Sequence, residues 1–215
     1  MSEKLVLIGD IVDSKSIEMA GREEVQRELA NILGEINRQS AAIESPLTVT
    51  LGDEFQGVYS DASTILSDTW RVLAALHPVR VRFSVGIGEI HTSINREHAL
   101  GMDGPAFHHA RKGIEHLKET GHLFYVMKSA KEMQKADDPV LNLVNHSLQM
   151  FSNEIKKWKK LRLQILLSLL KGDSVKVIAE ELGISEAAVY KNREEGDLML
   201  ALNLNRTIAE ILKPE

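Results

Sequence analysis

Residues 5–16, LVLIGDIVDSKS, pass from a buried-strand pattern straight into acidic and hydroxyl residues, and residues 48–57, TVTLGDEFQG, repeat that transition. Residues 4–12 are short and rich in Leu, Val and Ile, which reads as a strand buried on both faces. Val25, Leu29, Ile32 and Ile36 then give residues 22–43 a helical stripe. Pro46 is expected to reset the chain before a strand over 47–51, and Gly52–Asp53 to turn it tightly into a strand over 54–59. Helical spacing returns over 61–76 through Ala62, Ile65, Leu66, Thr69 and Leu73. Residues 79–88, VRVRFSVGIG, alternate as a half-buried strand. A polar loop leads to a helix near 104–119, and HLFYVM supplies a strand over 122–127.

The order strand, helix, hairpin, helix, strand predicts an α+β fold: a ferredoxin-like antiparallel sheet with helices on one face. Beyond residue 129 only helical patterns remain, at 139–151, 154–170 and roughly 197–212. The junction Ala136–Pro139 is the expected boundary between an α+β domain over 1–136 and an all-α domain over 137–215.

Composition narrows the chemistry. The 215 residues contain no cysteine, which excludes disulfides, thiolate metal sites and cysteine nucleophiles. The apolar runs are far shorter than a membrane span, and the N-terminal Ser-Glu-Lys leads into a strand rather than a signal-peptide core, so no membrane partner and a cytoplasmic location are expected. Residues 1–150 carry 21 acidic and 15 basic side chains, whereas 151–215 carry 10 and 11. Lys156, Lys157, Lys159, Lys160 and Arg162 make the start of the tail basic, a charge asymmetry in the direction of a nucleic-acid partner.

Asp10 ends the first strand and Asp53 sits in the hairpin turn, so neighbouring strands would bring them together, with Asp13 and Glu54 beside them. Carboxylates gathered this way are the oxygen ligands that magnesium uses when it bridges a protein to phosphates. Ser14 and Lys15, in the loop that follows, are candidates for phosphate oxygens. Turn chemistry alone also accounts for Asp13–Ser14 and Gly52–Asp53. His108 and Arg111 are expected to share a helix face with Lys112 and to approach a phosphate from the other side.

On Asp10–Ile11, on GDEF at 52–55, on RVRFSVGIGEI at 80–90 and on GPAFHHAR at 104–111, the chain resembles the nucleotidyl cyclase superfamily of class III and diguanylate cyclases. That resemblance implies metal ligation by Asp10, the Ile11 carbonyl, Asp53 and Glu54. It departs from the pattern at Val49, where class III enzymes carry a base-recognising lysine. It departs again at His108, which stands in place of the transition-state asparagine, at Lys112, in place of the arginine, and at Leu51, in place of a glycine before GDEF. The expectation is a cyclase-type scaffold with altered base and phosphate sites rather than cyclase activity, and no residue is assigned a catalytic role. Over nearly its whole length, through IGDIVDSK, GDEFQG and GPAFHHAR, the sequence resembles the SatD family of bacterial proteins, named from an acid-tolerance operon.

Residues 174–193, SVKVIAEELGISEAAVYKNR, resemble a sigma-type helix-turn-helix. Ile178, Ala179 and Val189 would pack the pair, Gly183 would permit the turn and Ser185 would cap the second helix. Ser185, Tyr190, Lys191, Asn192 and Arg193 are then candidates to meet double-stranded DNA. Packing against the first domain, or mediating dimerisation, is the other role open to this unit. Together these readings predict a homodimeric regulator that couples a magnesium- and nucleotide-binding domain to DNA. The alternatives are a divergent magnesium-dependent nucleotidyltransferase or phosphohydrolase, and a non-enzymatic acid-stress scaffold.

Overall fold

A computed structural model describes residues 3–50, 52–128 and 138–213. One five-stranded sheet runs in the order β2-β3-β1-β4-β5, with β1 (Lys4–Ile11) at its centre, flanked by β3 (Glu54–Tyr59) and β4 (Val81–Gly88). All pairings are antiparallel except the last, where β5 (Phe124–Lys128) runs parallel to β4. α1 (Met19–Gln39) and α2 (Ile65–Leu76) complete a βαββαβ unit with β1 to β4. α3 (Pro105–Thr120) then covers the other face before the parallel β5, so the helices lie on both faces of the sheet and not on one as expected.

The continuous apolar run of β1 follows from this sandwiching. Leu5, Leu7 and Ile11 enter the main core with Leu29, Phe55, Phe83 and Trp70, while Val6 and Ile8 pack beneath α3 with Ala106, Ala110 and Ile114. Small residues let α3 settle close to β4. A Cβ on Gly86 would lie 2.0 Å from the Ala106 carbonyl oxygen, and one on Gly113 would lie 2.0 Å from Ser84 Oγ. The backbones of the helix and strand therefore approach more closely than any side chain at those positions allows.

Several boundaries differ from expectation: α1 ends at Gln39 rather than 43, α2 begins at Ile65 rather than 61, and the helix expected over 154–170 begins at Lys160. β2 spans Ile43–Val49 and includes Pro46, with register shifts against β3 between Ile43 and Thr48. β2 is an edge strand, so a proline without an N–H can sit in it facing outward. The turn is accordingly longer, with Thr50 N donating to Glu54 O at 2.8 Å. Leu51, and residues 136–137 of the expected boundary, lie outside the described residues.

Helices α4 (Pro139–Ile155), α5 (Lys160–Lys171), α6 (Val175–Leu182), α7 (Glu186–Glu195) and α8 (Leu198–Ile211) make up the C-terminal region. Their apolar side chains join the core formed by α1, α2 and the sheet. α4 stands beside β5, where the Asn145 amide accepts from Val126 N and donates to Val126 O, each at 2.8 Å. A side chain thereby pairs backbone groups that a sixth strand would otherwise take. Trp70 packs its ring 5.1 Å from Phe124 and 5.6 Å from Phe151, and its Nε1 donates to Asn205 Oδ1 of α8 at 3.3 Å. No described helix is long and apolar enough to cross a membrane.

Candidate functional site

Register places Glu54, Asp10 and Arg82 in one row across β3, β1 and β4. Directly opposed residues of antiparallel strands point to the same face, here the face under α3. Asp10 and Glu54 are both buried, and a carboxylate removed from water needs compensating charge or hydrogen bonds. Asp10 receives two cations: Arg82 Nη1 lies 2.9 Å from Oδ2, and Lys118 Nζ lies 3.0 Å from Oδ1. Glu54 is paired with Arg111 Nη1 and accepts from Thr50 Oγ1 at 3.2 Å. Arg111 and Lys118 are seven residues apart on α3, two turns along one helix face, so a single helix supplies a cation to each carboxylate.

Asp53 lies in the turn before β3. Its Oδ2 accepts a short hydrogen bond from Ser14 Oγ, and its main-chain oxygen accepts from Ile11 N at 2.9 Å. The turn is thus fastened to the exit of β1. α1 secures both loops from the side. Arg22 Nη2 donates to the Ser14 carbonyl at 3.1 Å, and Gln26 Nε2 donates to the Gly52 carbonyl at 3.1 Å. Asp13 is exposed and left-handed, with φ 53°, a region that aspartate tolerates better than most residues.

Two adjoining clefts open here. One, of about 530 Å³, is lined by Asp10, Asp13, Ser14, Lys15, Asp53, Arg82 and Lys118. Its neighbour, of about 260 Å³, shares Ile11, Ser14, Lys15 and Asp53 with it and adds Arg22 and Gln26. The first cleft carries three carboxylates against three cations, a balanced mixture suited to a ligand with both phosphate and donor groups.

The expected residues are divided by the structure. Asp10, Asp13, Ser14, Lys15 and Asp53 share the cleft. Glu54 is turned under α3 toward Arg111, so the four carboxylates do not form one cluster. Among the described residues no group of three or more histidines, aspartates and glutamates is placed to hold a metal ion. Asp10 and Asp53 remain as a pair on one cleft, and magnesium sites commonly take one or two carboxylates and complete their shell with water and substrate phosphate. That donor set fits a cation brought in with a ligand. It does not form a closed protein cage.

The helix face expected from His108, Arg111 and Lys112 is rotated in the structure. His108 Nε2 lies 3.0 Å from Asp103 Oδ1, both side chains being exposed, and Lys112 is exposed and lines neither cleft. Arg111 pairs with Glu54 and lines neither cleft. Sequence reasoning missed Arg82, Lys118, Arg22 and Gln26. The alternation of VRVRFS did carry one signal, since it puts Arg82 on a single strand face with Ser84.

In the helical region, α6 and α7 are joined by the turn 183–185, with Gly183 left-handed at φ 64°. Ser174 Oγ and Ser185 Oγ accept from Val177 N and Ala188 N and cap the two helices. Asn192 is also engaged internally, donating to Ala188 O at 2.9 Å and accepting from Arg162 Nε at 3.4 Å. Tyr190 and Lys191 are exposed, and Arg193 is half-buried with its guanidinium 4.8 Å from the Tyr190 ring centroid. Lys191 Nζ lies 3.7 Å from Glu195 and Arg162 Nη2 3.0 Å from the same carboxylate.

No curated protein matches the chain. A solved structure of a bacterial light-regulated adenylyl cyclase is similar at 12% identity and a TM-score of 0.45, covering 58% of this chain. The chain spans only 42% of that protein's length. The catalytic core of a rhodopsin-guanylyl cyclase with converted specificity, in complex with ATPαS, is similar at 13% identity and a TM-score of 0.42, covering 58% of this chain and 77% of that one. The SatD family model matches residues 4–212, which takes in every element from β1 to α8, and the chain belongs to the SatD family.

Proposed function

We propose that this protein is a regulator whose α+β region binds a phosphorylated ligand, with a nucleoside triphosphate as the first candidate, and whose α6–α7 unit meets DNA. The observation that carries the first half is the meeting of Asp10, Asp53, Lys15, Arg82 and Lys118 on one cleft. Phosphate oxygens need cations or backbone donors, and a guanidinium offers paired ones. Asp10 and Asp53 would hold magnesium, and the ion, when bound, supplies charge neutralisation at the phosphates. Arg82 and Lys118 would then exchange Asp10 for phosphate oxygens, Lys118 more readily because its side chain is half exposed whereas that of Arg82 is 12% exposed. Ser14 holds Asp53 in place, and Arg22 and Gln26 hold the two loops.

DNA contact would fall to Tyr190, Lys191 and Arg193, since Ser185 and Asn192 already serve the helix pair. The acidic Glu186, Glu194 and Glu195 on the same helix restrict the positive surface, so affinity would rest on a paired arrangement of two chains. Exposed Leu143 and Met150 on α4 and Met199 and Leu200 on α8 are apolar surface available to such pairing. The test is thermal unfolding of the full chain with inorganic triphosphate and the four common nucleoside triphosphates, each with and without magnesium. A magnesium-dependent rise in midpoint with at least one of them is expected; no rise across the panel overturns the reading. Product analysis of any stabilising nucleotide separates a sensor from an enzyme.

A further inference from the structure

A groove at the junction of the two regions lies away from the acidic cleft. It measures about 670 Å³ and runs between α1, α2 and α5, within the range of small-molecule sites of about 300–1,000 Å³. Its apolar side is formed by Ile32, Leu167 and Leu170. Its charged side is unequal. Arg71 stands 3.8 Å from both Glu35 and Asp68, too far for a hydrogen bond to either. Lys160 and Lys171 also line the groove and make no ion pair or hydrogen bond among the described residues.

Of the two carboxylates on the groove, one is buried. Asp68 is 3% exposed and accepts from Tyr59 Oη at 3.2 Å. Burial pushes its carboxyl above the ordinary range, opposed by the hydrogen bonds from Thr64 and Tyr59. Glu35 alone is then an exposed counter-charge to three cations. Lys160 and Lys171 are the first and last residues of α5, about 16 Å apart at 1.5 Å per residue, so the groove follows the length of that helix.

We propose that this groove binds a small organic anion with an apolar body, its charge held by Arg71, Lys160 or Lys171 and its body laid on Ile32, Leu167 and Leu170. Such a ligand joins the helices of the sheet region to α5. Through Arg162, which bonds Asn192 and Glu195, α5 is also the helix that steadies α7. The groove is thus placed to set the posture of the α6–α7 unit independently of the acidic cleft.

The experiment is a fluorescence titration of the full chain at neutral pH with 8-anilinonaphthalene-1-sulfonate, an apolar body carrying one fixed negative charge. Saturable binding of one probe per chain is expected. The double variant Lys160→Gln/Lys171→Gln, folded by circular dichroism, should bind more weakly, by up to about fivefold, as the loss of one exposed ion pair predicts. Ala75→Phe, which fills the groove, should abolish binding, while Asp53→Ala should leave it unchanged. Absence of saturable binding, or binding indifferent to Ala75→Phe, overturns the site. Binding that is lost in Ala75→Phe but indifferent both to the lysine changes and to Arg71→Gln overturns the anion assignment. Binding that weakens as protein concentration rises shows the groove to be filled by a second copy and overturns the small-molecule reading.

Discussion

Asp10 of β1 and Arg82 of β4 are register partners whose side chains meet beneath α3, Nη1 lying 2.9 Å from Oδ2. Lys118 supplies the second cation from a half-exposed position. The two cations are therefore unequal. Arg82→Ala leaves a buried carboxylate with one solvated partner and should cost about 1–3 kcal/mol, whereas Lys118→Ala should cost less than about 1 kcal/mol. Urea unfolding of both variants checks the ranking, and equal losses would contradict it.

The close seat of α3 makes two glycines sensitive to a single methyl. Gly113→Ala would press on Ser84 Oγ, an overpacking cost of about 1–3 kcal/mol, set against about 1 kcal/mol of gained helix propensity. Gly86→Ala meets backbone atoms of Ala106 and Ala110 that cannot rotate away, and should lie at the top of that range or above. Thermal unfolding should rank Gly86→Ala as the more damaging, and Ser84→Gly should recover part of the loss in Gly113→Ala only.

Asp68 gives a pH signature opposite to that of an ordinary paired carboxylate. Its carboxyl is raised from the usual 3.8, chiefly by burial. The folded state thus holds the proton more tightly than the unfolded chain. The resulting stability is fully present below the unfolded value and is lost as pH rises through the folded one. Asp68→Asn, which does not titrate, should therefore gain on the wild type between pH 3 and pH 7. Denaturant melts across that interval test it; a wild type that gains on the variant as pH rises would contradict it.

If Lys191 and Arg193 meet DNA at its phosphates, as proposed, each change to alanine should weaken DNA binding about equally across sequences and lower the salt slope by about 1. Fluorescence anisotropy at several salt concentrations measures this. Asn192→Ala should act differently, loosening the bond to Arg162 and lowering the midpoint of unfolding. Unaltered DNA affinity in both cation variants would remove the assignment.

The sheet was legible in the sequence where local pattern and burial agree. LVLIGD could only be a strand covered on both faces, whereas the alternation of VRVRFSVGIG located β4 but misread it as half-buried, since α3 covers its second face and only Arg82 of its eight residues is not buried. Pro46 misled because a proline reads as a strand breaker until the strand is known to be an edge. Asp10 and Asp53 were foreseeable from their strand ends. Their partners were not, since Arg82 and Lys118 lie 72 and 108 residues from Asp10 and are brought to it by strand pairing and by the close seat of α3. Histidine at 108 drew attention by type and spacing, yet helix rotation is fixed by Ala106, Ala110, Ile114 and Leu117 packing on Val6 and Ile8, and that rotation points Arg111 and Lys118 at the carboxylates.

Calorimetric titration of a magnesium–nucleoside triphosphate into the wild type, Asp53→Ala and Lys118→Gln tests the central claim most directly. The wild type should bind with a dependence on magnesium that Asp53→Ala abolishes, and Lys118→Gln should weaken binding about tenfold through the loss of one charge-assisted phosphate contact while keeping the magnesium dependence. Equal binding by all three proteins, or none by the wild type with any nucleotide of the panel, would contradict it and leave Asp10, Arg82 and Lys118 as a purely structural ion-pair row.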